Sequence, residues 1–380
     1  MKKIVSLLLC LCLILPTFAM GEDDDDIEIE DLLEEEEVIL DDEGNEVLID
    51  EETGEQIIIG QAEEEKLEEL DLEIDDTVNF DDLEINPNLP EGTINILLIG
   101  VDTHYKEMGT GIERGDVQII ASIDPDAGTI KLSSIMRDLY VPIPGKKNSG
   151  RINTAYSLAG GQSAIRTINH NFEMNIQYYV AINFYGVISI VESLGGIDVD
   201  LTKVEAQAIN AYLKKNKKQI SREYDDKKGN RQALEAKAGI QHLDGLQALM
   251  YARLRSIDSD FVRTSRQRHL LELLMSKVLT NDDTDYFGLF YDCMDYVKTN
   301  MPAGEMFNLI MTILGSDLID RAKNGETLLE DFRIPMEDTW KYATEHGSSV
   351  VEFTNSNGGK QMNVEALHQF IYGQYYPANQ

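Results

Sequence analysis

Asn95-Ile-Leu-Leu-Ile-Gly-Val-Asp102 is a continuous apolar run that ends in an acid. A short, unbroken run of this kind reads as a strand buried on both faces, and its last residue delivers a carboxylate to the strand's C-terminal end. Working outward, Val117-Gln-Ile-Ile-Ala-Ser-Ile123 and Thr129-Ile-Lys-Leu-Ser-Ser-Ile135 flank the turn cluster Asp124-Pro-Asp-Ala-Gly128. That arrangement signals a hairpin. Residues 178–184 read as a further strand, and Ile197-Asp-Val-Asp-Leu201 alternates like one after the helix-stopping Gly195-Gly196. Helical periodicity appears at 162–172, 185–194, 243–251, 262–279, 286–298, 305–314 and 364–372. Strands and helices interleave without a long linker. The expected fold is therefore α/β (α+β), a central mixed β-sheet covered by helices on both faces, in one domain over 91–375.

Charge divides the chain differently. The 380 residues hold 33 basic and 69 acidic side chains, a net charge of -36. Residues 22–84 alone carry 32 of the acids and one lysine. The remainder is an ordinary globular composition behind an extremely acidic leader. Overall acidity argues against nucleic acid as a partner, because binding phosphate backbones needs a net positive field. Met1-Lys-Lys followed by an apolar run to Met20 reads as a secretory signal peptide over 1–20, or an uncleaved signal anchor. Either way the body is expected on the outer side of a membrane. Residues 21–90 read as a solvated, self-repelling, disordered linker. Against that stand the apolar triplets Val38-Ile-Leu40, Val47-Leu-Ile49 and Ile57-Ile-Ile59, separated by turn-like segments, which short hairpins would also produce. Cys10 and Cys12 fall in the N-terminal apolar stretch and Cys293 stands alone, so the body has no disulfide framework.

There is no phosphate-binding Gly-Lys-Ser/Thr loop, no Gly-x-Ser-x-Gly elbow and no zinc-spaced Cys or His cluster. What stands out is arginine. Arg253-Leu-Arg255 is followed by Asp260, Arg263, Arg266, Gln267 and Arg268; Arg137-Asp138 ends a strand; Arg151 follows a Lys146-Lys147 loop. Each alone reads as a surface ion pair, but as a set beside apolar runs they suit bidentate phosphate binding. Asp260 could cap its helix or hold an arginine. Asp102 and Asp116 end predicted strands, with Arg114 two residues before the second. Two carboxylates plus a phosphate suit magnesium, or serve as strand-end turn residues.

Read together, these segments resemble the LytR-CpsA-Psr family of cell-wall glycopolymer transferases. The resemblance rests on Asn95–Asp102, Arg114-Gly-Asp116, Ser134-Ile-Met-Arg137-Asp138, Arg151-Ile-Asn153 with Ala155-Tyr156, Asn183-Phe184, Leu194-Gly-Gly-Ile-Asp-Val199, Leu243-Asp-Gly245, Tyr251-Ala-Arg253-Leu-Arg255 and Asp260-x-x-Arg263-x-x-Arg266-Gln267, in order over 93–280. It implies Mg²⁺-dependent (or Mn²⁺-dependent) phosphotransfer at the outer membrane face. The donor would be an undecaprenyl-pyrophosphate-linked glycopolymer and the acceptor peptidoglycan. By position, Asp102 and Asp116 would hold the metal. Arg137, Arg253, Arg255 and Arg263 would clamp phosphate, Gln267 would assist, and Asp260 would orient an arginine or act as base. Arg114, Arg151 and Arg266 would be further substrate contacts. Val180, Ile182, Phe184, Val187 and Ile190 would line an apolar prenyl pocket, or be plain core. Two departures are Thr103-His104, where the family often has arginine, and Gly115, where serine is commoner. The basic loop 214–237 reads as a solvated insertion or a contact for an anionic polymer. The competing functions are an exported, non-catalytic binder of polyprenyl phosphate or wall polymer, and a lipid pyrophosphatase.

Overall fold

The computed structural model describes residues 39–40, 46–49, 56–58, 75–102, 113–215, 232–254, 266, 269–270, 272–274, 276–277, 296–302, 304–306, 308–309, 321, 324, 329–354 and 358–378. Within the leader the three apolar triplets supply strands β1 (Ile39–Leu40), β2 (Glu46–Ile49) and β3 (Gln56–Ile58). They pair antiparallel in sequence order, Ile39 opposite Val47 and Val47 opposite Ile58.

In the body follow β4 (Ile94–Asp102), β5 (Arg114–Asp124), β6 (Thr129–Ile135), β7 (Tyr140–Val141), β8 (Gly150–Arg151), α1 (Tyr156–Phe172), β9 (Tyr178–Ile182), α2 (Phe184–Ser193) and β10 (Ile197–Leu201). Then come α3 (Lys203–Lys215), β11 (Gly239–Leu243), α4 (Gly245–Arg253), β12 (Val297–Thr299), β13 (Leu329–Ile334), β14 (Trp340–Glu345), β15 (Ser348–Phe353) and α5 (Gly359–Tyr372). The central sheet has the order β12-β9-β4-β5-β6-β13. β9 runs parallel to β4 and β13 parallel to β6, while the other pairs are antiparallel. The sheet is therefore mixed, as expected. Val297 and Lys298, which periodicity places in a helix, lie in the edge strand β12, where they pair with Ile182 and Ala181.

The run 95–102 explains the architecture. Side chains alternate across a strand, so Ile96 and Leu98 enter one core and Leu97, Ile99 and Val101 the other. The first core is closed by α2, α3 and α4, and the second by α1 and α5. Each of these five strand residues is at most 1 % exposed.

The body begins before residue 91. Asp75 donates its backbone N–H to the Thr299 carbonyl and accepts a 2.5 Å hydrogen bond from the Tyr179 hydroxyl. Arg166 on α1 pairs with Asp82 at 2.8 Å and Glu84 at 2.7 Å, and His170 with Glu84 at 2.6 Å. The last acids of the leader thus have partners on α1, and composition alone does not reveal such pairs.

α1 comes close to the sheet because two consecutive glycines interrupt it. Gly160 has a φ of +52° within a kink that starts at Ala159, and a side chain is strained there. At Gly161 an added Cβ would lie 2.0 Å from the Tyr179 ring. That ring is fully buried and anchored through Asp75. Gly161→Ala should therefore destabilise the fold by about 2–3 kcal/mol, the usual cost of overpacking a dense core. A denaturant titration showing a midpoint unchanged from wild type would refute this close fit.

Candidate active site

Four strands, β4, β6, β9 and β13, end at one edge of the sheet, and β5 starts there. Asp102, Arg114, Asp116, Arg137 and Phe184 all lie at or next to that edge.

Asp116 owes its orientation to a bulge. Gly100 pairs with Val117 and Val101 with Gly115, so Asp116 is an extra residue on β5. Such bulges re-aim side chains. Here a carboxylate is turned inward and left only 3 % exposed. Gly115 permits the bulge, because a Cβ there would meet the Ile99 Cγ2 at 2.9 Å. A buried carboxylate needs partners, and it has two. Arg137, just past β6, places Nη1 2.6 Å from Oδ2, and Asn153 donates Nδ2–H to Oδ1 at 2.7 Å. Asn153 is also tied to Arg137 through the backbone, its N–H donating to the Arg137 carbonyl at 3.2 Å. Gln118 braces the same corner, with Nε2 donating to the Ile152 carbonyl at 3.2 Å.

A second layer adjoins it. Asp138 stands between two guanidiniums, with Arg137 Nε 3.5 Å from Oδ2 and Arg151 Nε 3.3 Å from Oδ1. Arg151 also donates Nη2–H to the Ser349 carbonyl at 2.7 Å. Along the edge, the Arg253 guanidinium at the end of α4 lies over the Phe184 ring, 4.3 Å from its centroid. That spacing is a cation–π contact, which sets the plane of the guanidinium. Asn183 caps α2 by accepting the Gly186 N–H at 3.1 Å, which fixes Phe184 where the strand turns into the helix.

Of the site residues expected from sequence, Asp116 and Arg137 are in direct contact, and Arg151 joins them through Asp138. Arg114 is exposed on the same edge, its backbone opposite that of Asp102. Asp102 is placed as the last residue of β4, but its side chain lies outside the described residues, as do Arg255, Asp260, Arg263 and Gln267. Arg266 differs from expectation. It is 4 % exposed and faces inward, Nε 2.6 Å from Glu205 and Nη1 3.1 Å from the Leu254 carbonyl. Its environment is that of a structural cation. Val180, Ile182, Phe184, Val187 and Ile190 meet in the first core, all at most 4 % exposed; as they stand they are packed core. Asn153, Gln118 and the carbonyl of Ser349 were not expected as site residues. Asn153 lies two residues after Arg151, but nothing in its spacing shows that it reaches Asp116.

The donor set fits a hard cation. Asn153 Oδ1 is buried without a hydrogen-bond partner, beside the Asp116 carboxylate. A spare amide oxygen next to a carboxylate is oxygen chemistry of the kind that magnesium takes. Among the described residues no group of three or more His, Cys, Asp or Glu could hold a metal. An ion here would complete its shell with water and substrate phosphate.

The inward-turned Asp116 carboxylate, paired with Arg137 and linked through Asp138 to Arg151, is the charged centre at this end of the sheet. The chain belongs to the LytR_cpsA_psr family, which matches residues 57–368. One similar protein is the Bacillus cereus polyisoprenyl-teichoic acid–peptidoglycan teichoic acid transferase TagU, 30% identical over 263 residues, 68% of this chain and 73% of that one. Among solved structures, TagT bound to LI-WTA aligns with a TM-score of 0.54 at 21% identity, covering 74% of this chain and 91% of that one. The family protein YwtF (TagT) with bound octaprenyl pyrophosphate lipid aligns at 0.51 and 20% identity, over 74% and 91% of the two chains. These alignments show that the fold is shared.

Proposed function

We propose that this chain transfers a glycopolymer from a polyprenyl-pyrophosphate carrier to peptidoglycan, acting on the outer side of the cytoplasmic membrane. The observation that carries this reading is the contact set of Asp116, Arg137, Asn153, Asp138 and Arg151 at the strand-end edge. The similarity to TagU, a polyisoprenyl-teichoic acid–peptidoglycan teichoic acid transferase, supports it. No helix among the described residues is long and apolar enough to cross a membrane. The outward location rests on the N-terminal sequence and on the substrates that the reading requires.

In the reaction an acceptor sugar hydroxyl attacks the polymer-side phosphorus. A phosphodiester bond forms, the pyrophosphate P–O bond breaks, the hydroxyl proton goes to solvent or a base, and the prenyl monophosphate leaves. Such transfer depends mostly on positioning and charge neutralisation. Arg137, Arg151 and Arg253 supply positive charge for the phosphates, Arg253 with its plane set by Phe184. Asp116 and Asn153, with Asp102, would hold Mg²⁺, which when bound neutralises pyrophosphate charge. A prenyl chain would have to part the packed core around Val180, Ile182, Phe184, Val187 and Ile190 to lie beside the site.

The test is transfer of a synthetic polyprenyl-pyrophosphoryl sugar to peptidoglycan fragments by the whole chain, with and without Mg²⁺. Cation-dependent sugar phosphate on the peptidoglycan is the expected result. Release of free sugar phosphate alone would replace the reading with a lipid pyrophosphatase, and tight lipid binding without turnover with a carrier.

A further inference from the structure

We infer that Asp138 is a positioning residue, the strut that sets the spacing of Arg137 and Arg151, and that the C-terminal hairpin is part of the same device. The inference rests on the transferase reading, because it concerns how that site grips pyrophosphate.

The two oxygens of Asp138 are divided between two cations. Oδ2 faces Arg137 Nε and Oδ1 faces Arg151 Nε, at 3.5 and 3.3 Å. Nε lies on the inner side of a guanidinium. On Arg137 the outer Nη1 meets Asp116, and on Arg151 the outer Nη2 meets a carbonyl. Without Asp138, two like charges would face each other across a small gap and separate. A pyrophosphate needs both at a set distance, and that geometry is what bidentate recognition exploits.

The strut is fixed from behind. The Asp138 carbonyl accepts the Val351 N–H at 2.9 Å, and the Arg151 Nη2 donates to the Ser349 carbonyl at 2.7 Å. Both acceptor and donor lie on β15, so the hairpin β14–β15 touches the strut and one of the arginines that it spaces. From the other side, β7 and β8 pair Tyr140 with Arg151, and the Ile152 N–H donates to the Leu139 carbonyl at 2.8 Å. The distant strand β15 and the adjoining β7–β8 pair therefore brace residues 137–139 and 151–153.

The experiment uses the full chain and geranyl pyrophosphate as a soluble probe, read by calorimetry at constant Mg²⁺, with turnover measured in parallel. Asp138→Asn should weaken binding about threefold, the size of one lost part-exposed ion pair. KM for the lipid donor should rise in step, kcat should stay within about twofold and the pH profile should keep its shape. Asp138→Glu should recover part of the affinity. A variant that binds normally but loses kcat and the acidic limb of its pH profile would make Asp138 the base and overturn the inference. If Arg137→Ala and Arg151→Ala also bind the probe as wild type does, the site reading itself is wrong.

Discussion

Asp116→Ala is expected to lower transfer by about a thousandfold or more, the scale of losing a preorganised charge at a reacting phosphoryl group. Two losses combine. The carboxylate is the buried partner that aims Arg137, at 2.6 Å, and the acceptor that orders Asn153, at 2.7 Å. It is also the negative oxygen that a divalent cation would need. The alanine variant leaves the Asn153 amide buried without its acceptor, at about 1–3 kcal/mol of stability. Asp116→Asn keeps the shape and one acceptor oxygen, but its amide N–H2 would face a donor, Arg137 or Asn153, so it too should cost about 1–3 kcal/mol of stability. Its turnover should fall nearly as far as that of the alanine variant, measured below the thermal midpoint of both. Cation affinity, titrated with Mn²⁺ in the absence of substrate, should fall in both. An asparagine variant with turnover near wild type would show that the charge of Asp116 is not what the site uses.

The sheet and its two covering layers are visible in the sequence because burial on both faces leaves a direct trace. Residues 96–101 are apolar throughout, and β5 and β6 carry the buried apolar residues Val117, Ile119, Ile120, Ile123, Ile130, Leu132 and Ile135. The site is only partly visible. Asp116 and Arg137 stand out because they end apolar runs, and Arg253 because arginine is scarce in so acidic a chain. Asn153 is not visible as a contact, because its role depends on a bulge that turns Asp116 inward, and a bulge is a register event between two strands. The same holds for β15. Its backbone holds Asp138 and Arg151 through a carbonyl and an N–H, which any residue could supply. Arg266 is a case in which spacing says little. Its place among the neighbouring arginines suggests a shared ligand, but that spacing does not reveal the Glu205 carboxylate that its Nε meets at 2.6 Å.

That pair supplies the second large effect. Thr202 and Glu205 form a capping box at the start of α3. The Glu205 N–H donates to Thr202 Oγ1 at 3.2 Å, and Thr202 donates its N–H and its hydroxyl to Glu205 Oε2 at 2.8 and 2.7 Å. The other carboxylate oxygen, Oε1, takes Arg266 at 2.6 Å. Burial pushes the Glu205 carboxyl up, but the hydrogen bonds from Arg266 and Thr202 outweigh it and hold it below the ordinary 4.5. Removing the cation alone, as in Arg266→Ala, leaves a buried carboxylate short of a partner and should cost about 3–5 kcal/mol. Replacing both, as in Glu205→Leu with Arg266→Met, should recover much of that loss, because an apolar pair avoids the desolvation of two charges. The sign with pH follows from the depressed carboxyl. Its contribution is complete above the unfolded value and is lost as pH falls through the folded one. The stability gap between wild type and Arg266→Ala should therefore be full at neutrality and should narrow in acid below about 4.5. Turnover of the double variant decides what Arg266 does. A structural cation predicts that a refolded, stable double variant keeps its donor KM. A rise of tenfold or more in that KM, with stability restored, would return Arg266 to the phosphate-binding set.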